Sequence, residues 1–510
     1  MRRMTRDMDE EENSKRQRGS KREAARLKLG GHHTDDSAYS EQKMGNRQIF
    51  VITYFFVALF LGMMVYIVAF MVDDSADIIN NSYNKRQEVL AKKVKRGEIL
   101  SADGKVLAKT ITDKKGNDKR YYPYDNMFCH VIGRVTNSMT GVELSQCYPL
   151  LTSHANPLKQ LTDNFKGEKK PGDNVVTTLN YKLQKTAYEA LGNYNGAVVA
   201  MEPSTGKILA MVSKPDYDPN TVAQDWNTLI SEENGNSALL NRATQGIYPP
   251  GSTFKILTAA EYIIENGKNY KNYKYVCKGS DEFYGNKISC YGGEVHGKVN
   301  LNKAFSKSCN GAFANIGLKL APERFRNLCE SFRFNKTLPV NFEYKKSSFV
   351  LNGSSGKGEI MQTAIGQGKT GITPLQNLLI SSTIANKGKM MSPYIVDHTE
   401  NDSGKIVKKY SPKAIGKIID ESVAAGVKKL MKSVVSEGTA SSLSSLSYKA
   451  AGKTGSAEFD SKGTSHAWFV GFAPADKPKI AVSIVVEGVG TGSRYAVPIA
   501  EKMFREYLGD

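Results

Sequence analysis

No Cys-x-x-Cys pair occurs among the six cysteines (129, 147, 277, 290, 309 and 329), and the seven histidines show no zinc spacing. The common short-range zinc motifs are therefore excluded, and no metal site is expected. His32-His33 lies in a polar tail that gives it nothing to coordinate with. Acidic residues are scarce beside basic ones, 51 against 70, for a net charge of +19. The excess is spread along the chain. Charge alone is compatible with nucleic acid, a membrane surface or an anionic cell wall. Long apolar runs are missing except for one, which gives the expectation of a single membrane crossing.

That run is Ile49 to Val72, IFVITYFFVALFLGMMVYIVAFMV, 24 residues without a charge. At about 1.5 Å per residue it spans a bilayer core with some tilt. It is too long for a signal peptide, and no small-x-small cleavage site follows it. Residues 1–48 hold twelve Lys/Arg and little apolar periodicity, and read as a disordered tail. Asp73, Asp74 and Asp77 open the far side, with Lys85 and Arg86 soon after, so the basic-side rule favours a cytoplasmic N-terminus only modestly. The Tyr-Gly-Asn-rich stretch between Cys277 and Cys290 suggests a disulfide if that region lies outside the cell; buried free cysteines are the alternative.

Three short motifs follow one another: Ser252-Thr253-Phe254-Lys255, Ser308-Cys309-Asn310 and Lys453-Thr454-Gly455. A serine hydroxyl is a poor nucleophile until its proton is removed. A lysine three residues on along a helix shares the serine's face. It can serve as the base only if its pKa, near 10.4 when free, is lowered by burial or by another cation; Lys453 would be such a cation. Ser-x-x-Lys also occurs at Ser40, Ser82, Ser204 and Ser354, so spacing alone decides nothing. Ser252 stands out by context. Tyr248-Pro249-Pro250-Gly251 stops the preceding element and an apolar helical run follows, which puts Ser252 at a helix N-terminus. An ordinary serine cap is the competing reading. Lys-Thr-Gly also occurs at Lys369, where Thr373-Pro374 reads as a helix start; Lys369 is taken as a solvated loop lysine. Lys453-Thr454-Gly455 sits in strand-like sequence, where a cation and backbone donors can hold an extended peptide. Ser-x-Asn recurs at Ser82 and equally fits a capped helix end.

With these motifs the chain resembles the class B, monofunctional penicillin-binding proteins. The likeness extends to Arg96-Gly97-Glu98-Ile99, Arg120-Tyr121-Tyr122-Pro123, Tyr217-Asp218-Pro219-Asn220, Ile365-Gly366-Gln367-Gly368, Gly438-Thr439-Ala440 and Trp468-Phe469-Val470-Gly471-Phe472. The resemblance implies a D,D-transpeptidase that cross-links peptidoglycan stem peptides and is acylated by beta-lactams. Ser252 would be the nucleophile and Lys255 its base. Ser308 and Asn310 would relay a proton and orient the substrate. Lys453 and Thr454 would bind the substrate carboxylate. The backbone N–H groups of Ser252 and Ser456, next to Gly455, would form the oxyanion hole. Ser456 stands where the family often has threonine and keeps the hydroxyl. No cofactor or metal is implied. The implied partners are peptidoglycan, beta-lactams, the membrane and a multi-span SEDS-type glycan polymerase, not nucleic acid.

The expected architecture is α+β, an antiparallel sheet flanked by helices with an all-helical subdomain, the penicillin-binding fold. Residues 1–48 would be a cytoplasmic tail, 49–72 the membrane helix, 73–175 an elongated pedestal of dimerisation type, and 176–510 an extracytoplasmic transpeptidase domain. Strand pairs are expected at 196–201 with 207–213 and at 465–473 with 479–487. Helices are expected after Asn180, with Leu183, Ala187, Ala190 and Leu191 inward, and over 495–508. Two alternatives stand beside the leading reading. One is a D,D-carboxypeptidase or beta-lactamase-like hydrolase, which would clear a penicillin adduct quickly. The other is a non-catalytic beta-lactam sensor or scaffold, for which the 48-residue tail is short.

Overall fold

The structure, a computed structural model, describes residues 35–73, 86–156, 169–231, 237–458 and 464–510; His32-His33 lies outside them. Helix α1, Asp35–Asp73, contains the apolar span and starts well before Ile49. Residues 35–48, read from sequence as part of a disordered tail, are therefore helical. Ala38, Glu41, Gln42, Lys43 and Met44 are good helix formers, and an established helix extends through them at little cost. Every described side chain from Arg47 to Phe70 is exposed. Thr53, which shares the span with the hydroxyls of Tyr54 and Tyr66, donates back to the Ile49 carbonyl at 2.7 Å, so its polar group is satisfied inside the helix.

Residues 80–510 form a second compact unit. Helix α2 (Tyr181–Leu191) starts where Asn180 Oδ1 accepts the Leu183 N–H, and buries Leu183, Ala187 and Leu191. Strands β1 (Gly196–Met201) and β2 (Ile208–Lys214) form a hairpin. Helix α3 is Lys255–Asn266. Strands β3 (Lys274–Cys277), β4 (Ser280–Phe283), β5 (Asn286–Ser289) and β6 (Gly297–Asn300) make two small antiparallel pairs, β3 with β6 and β4 with β5. The helical half thus carries strands that the sequence did not mark out. Helices α4 (Asn310–Gly317), α5 (Pro374–Ala385) and α6 (Glu421–Ser436) follow. Strands β7 (Ala451–Glu458), β8 (Ser465–Ala473) and β9 (Ile480–Val486) precede the closing helix α7 (Gly492–Leu508).

The main sheet runs β7-β8-β9-β1-β2, antiparallel throughout. Each residue of β1, β8 and β9 is buried. Strands apolar on both sides need cover on both faces. Helix α7 packs on β8 and on α2, and α5 packs on β9, β8 and β1. All twelve residues of α5 are buried, so it is a central helix with no solvent face. Thr373 caps it by accepting the Gln376 N–H, and Pro374 is its first residue.

The sequence boundary at 175/176 falls inside a strand. Asn174–Thr177 pairs with Val396–Glu400 on one side and with Ile99–Leu100 on the other, within a six-stranded sheet. Two of the quoted motifs meet nearby. Arg96 Nε and Arg120 Nε donate to the two oxygens of the fully buried Glu143 carboxylate, at 2.7 and 2.6 Å. The guanidinium charges outweigh the cost of burial and hold that carboxylate below its ordinary pKa. Tyr122 donates its N–H to Asn220 Oδ1, and Asn220 Nδ2 donates back to the Tyr122 carbonyl.

Candidate active site

Ser252 lies in a tight turn, Gly251–Phe254, that runs directly into α3. Pro250 occupies the cap position of that turn and Phe254 that of α3, so Ser252 is not the helix cap. Its position is fixed by backbone. Gly251 donates its N–H to Gly366 O at 2.8 Å. Gly366 sits at φ +84°, and a Cβ there would lie 1.8 Å from Gly251 O, so only glycine allows the approach. Trp468 on β8 donates its indole N–H to Pro249 O at 3.1 Å, and Asn377 on α5 holds Thr253 Oγ1 at 3.1 Å. The turn is thus tied to the sheet and to the central helix.

Lys255, one helical turn on, is fully buried. Its Nζ donates to Ser308 O at 2.7 Å, to Asn310 Oδ1 at 2.7 Å and to Ser308 Oγ at 3.2 Å. The Phe313 ring lies 5.4 Å from it. Burial pulls its pKa down to about 8. Lys453 on β7 is also fully buried. Its Nζ donates to Ser308 Oγ at 2.9 Å and to Thr454 O at 3.0 Å. Burial lowers its pKa well below the lysine range, and the charge of Lys255 lowers it further. Of the two causes the sequence left open, burial or a second cation, desolvation leads for both amines, and the two charges disfavour each other when both are present.

Ser308 has φ +56°, the left-handed region that a residue with a side chain enters at a cost. That conformation sets its hydroxyl between the two lysines. Cys309 caps α4 by accepting the Ala312 N–H, and Asn310 Nδ2 donates to Ser289 O at 2.9 Å. The cleft above this cluster holds about 500 Å³ and is lined by Ser252, Ser308, Asn310, Thr454, Gly455 and Ser456, among others. All three motifs therefore converge. Thr439, not singled out from sequence as a site residue, also lines the cleft, and its hydroxyl meets that of Thr454. Its signal was the Gly438-Thr439-Ala440 motif, which carried the family likeness without a role being given to the threonine. Lys453 differs from expectation in one further respect: it is sealed beneath the cleft. Consecutive strand residues point to opposite sides, and Thr454 takes the open one. Lys369 is exposed, as expected for a loop lysine. Cys277 and Cys290 are neighbours but not bonded, with their sulfurs 3.7 Å apart.

The penicillin binding protein transpeptidase domain family matches residues 196–508. The chain belongs to the class B penicillin-binding proteins. It is 33% identical over 436 residues to peptidoglycan D,D-transpeptidase PbpA of Mycolicibacterium smegmatis, covering 79% of this chain and 87% of the relative. It is 29% identical over 476 residues to stage V sporulation protein D of Bacillus subtilis, covering 85% and 72%. Among solved structures it resembles penicillin-binding protein A from Mycobacterium tuberculosis in its ceftriaxone acyl-enzyme complex. That similarity has TM-score 0.75 and 30% identity, over 82% of this chain and 100% of the other. As a class B penicillin-binding protein, the chain carries its Ser-x-x-Lys turn, its Ser-x-Asn cap and its Lys-Thr-Gly strand around one cleft.

Proposed function

We propose that this protein is a membrane-anchored serine D,D-transpeptidase that cross-links peptidoglycan stem peptides and is acylated by beta-lactams, with Ser252 as the acylated residue. The observation that carries the residue assignment is the Ser308 hydroxyl held between two buried lysine amines, beside a cleft that Ser252 lines.

Lys255 takes the Ser252 proton. As a neutral amine it keeps two N–H donors for its two carbonyl oxygen partners and has a lone pair free. The N–H groups of Ser252 and Ser456 receive the oxyanion, each worth roughly a hundred- to a thousand-fold in rate. Ser308 passes a proton to the departing D-alanine amine, and Asn310 orients the donor peptide. The carboxylate of that peptide meets the hydroxyls of Thr454 and Thr439, with Lys453 beneath supplying positive charge. Arrival of the anion favours the protonated form of Lys453, which opposes its burial. An acceptor amine then resolves the acyl-enzyme. The described carboxylates lining the cleft, Glu294 and Glu458, are both exposed.

The apolar part of α1 anchors the chain with its N-terminus in the cytoplasm and residues 80–510 outside. The 73–175 region serves as a pedestal, and a multi-span SEDS-type polymerase in the same membrane supplies the glycan strands.

Intact-mass measurement after penicillin treatment, with peptide mapping, tests the assignment. One adduct on Ser252 is expected, with none in Lys255→Ala. An adduct on another side chain would overturn it.

A further inference from the structure

Strand β7 is an edge strand of the main sheet, and its alternation is visible in burial. Lys453 and Ala457 are fully buried, whereas Thr454, Ser456 and Glu458 all line the cleft. Side chains on one side of a strand stand about 6.7 Å apart, so these three form a row about 13 Å long. Exposure rises along it. Thr454 is buried, Ser456 half-buried and Glu458 exposed. The row therefore runs from the floor of the cleft to its mouth.

That gradient orients the donor peptide. Its terminal carboxylate meets Thr454 on the floor, and its scissile carbonyl meets the Ser456 N–H. The rest of the stem, which leads back to the glycan strand, must leave past Glu458. An extended chain advances about 3.3–3.4 Å per residue. The residue before the acylated D-alanine then falls beside Ala457, one step short of Glu458. Side chains lean along a strand, and the four-carbon stem of a lysine-like residue covers that step.

Glu458 is free to receive such a group. It makes no hydrogen bond or ion pair among the described residues. The other acidic or basic side chains lining the cleft, Lys287, Glu294, His296 and Lys307, lie on segment 287–307 and not on β7. Glu458 is thus the anionic group that the described part of β7 sets along the path of the donor.

We infer that Glu458 is a specificity-determining residue: it pairs with a free side-chain ammonium on the donor residue that precedes the acylated D-alanine. It thereby favours stems with a diamino acid at that place. The inference rests on the transpeptidase reading. Glu458 acts here on binding and moves no proton.

The test uses the full chain in detergent and two soluble donors, Nα-acetyl-L-lysyl-D-alanyl-D-alanine with its Nε-amine either free or acetylated. Release of D-alanine gives kcat/KM for each. At low salt the wild type is expected to prefer the free amine about three- to fivefold, the effect of an exposed ion pair. At about 1 M salt the preference should shrink towards one, because the screening length falls to about 3 Å. Glu458→Gln is expected to bring the ratio to about one, and Glu458→Lys to invert it. Each ratio compares two donors on one protein, so any loss of folded enzyme cancels. A wild type that treats both donors alike overturns the inference, as does a preference that survives in both variants. If neither donor releases D-alanine while penicillin still labels Ser252, the transpeptidase reading itself fails and the inference falls with it.

Discussion

The rate of acylation by penicillin should follow the ionisation of Lys255. Burial holds this lysine at about 8, against 10.4 for a free side chain. At pH 7 the neutral fraction is then roughly one-tenth, against well under one-thousandth without the shift, a gain of about 200-fold in available base. Because the neutral amine is the base, the rate should climb about ninefold between pH 6 and 7 and level off above about pH 9. Stopped-flow measurement with a fluorescent penicillin gives this profile directly. Lys453→Met separates the two causes of the shift, since it removes the second amine but keeps an apolar side chain in its place. If desolvation governs, the limb stays near 8 even though the rate falls. A limb that moves up towards 10 in Lys453→Met would show that the neighbouring charge, not burial, tunes the base. A flat wild-type profile from pH 6 to 9 would remove Lys255 from the proton path.

Asn310→Ala removes both the 2.7 Å acceptor of Lys255 and the bond to Ser289 O. A hydrogen bond to a charged group is worth about 1.5–3 kcal/mol, so the second-order acylation constant should fall roughly ten- to a hundred-fold with the fold intact. Gly366→Ala places a Cβ against the Gly251 carbonyl at a left-handed φ; chemical denaturation should show a loss of at least about 2 kcal/mol, and labelling by fluorescent penicillin should drop with it. Glu143→Gln leaves Arg96 and Arg120 buried around an uncharged amide. A broken buried ion pair costs about 3–5 kcal/mol, so the denaturation midpoint should fall sharply; an unchanged midpoint would mean the guanidinium groups find other partners.

What could be read from the sequence was what is encoded locally or by simple period. Ser252 and Lys255 are three residues apart, and the turn-then-helix context is contiguous. The strands at 465–473 and 480–486 announce themselves as apolar runs, and Asn180 and Thr373 act as the caps their positions suggest. The arginine motifs at 96 and 120 could be quoted but not explained, because their meaning is the single carboxylate of Glu143 that they share. Lys453 shows a subtler limit. Its meeting with Ser308 depends on the β7–β8 register, which pairs Lys453 with Val470, and on the alternation that turns it beneath the cleft while Thr454 opens onto it. A motif written as three consecutive letters hides that its first and second letters face opposite ways.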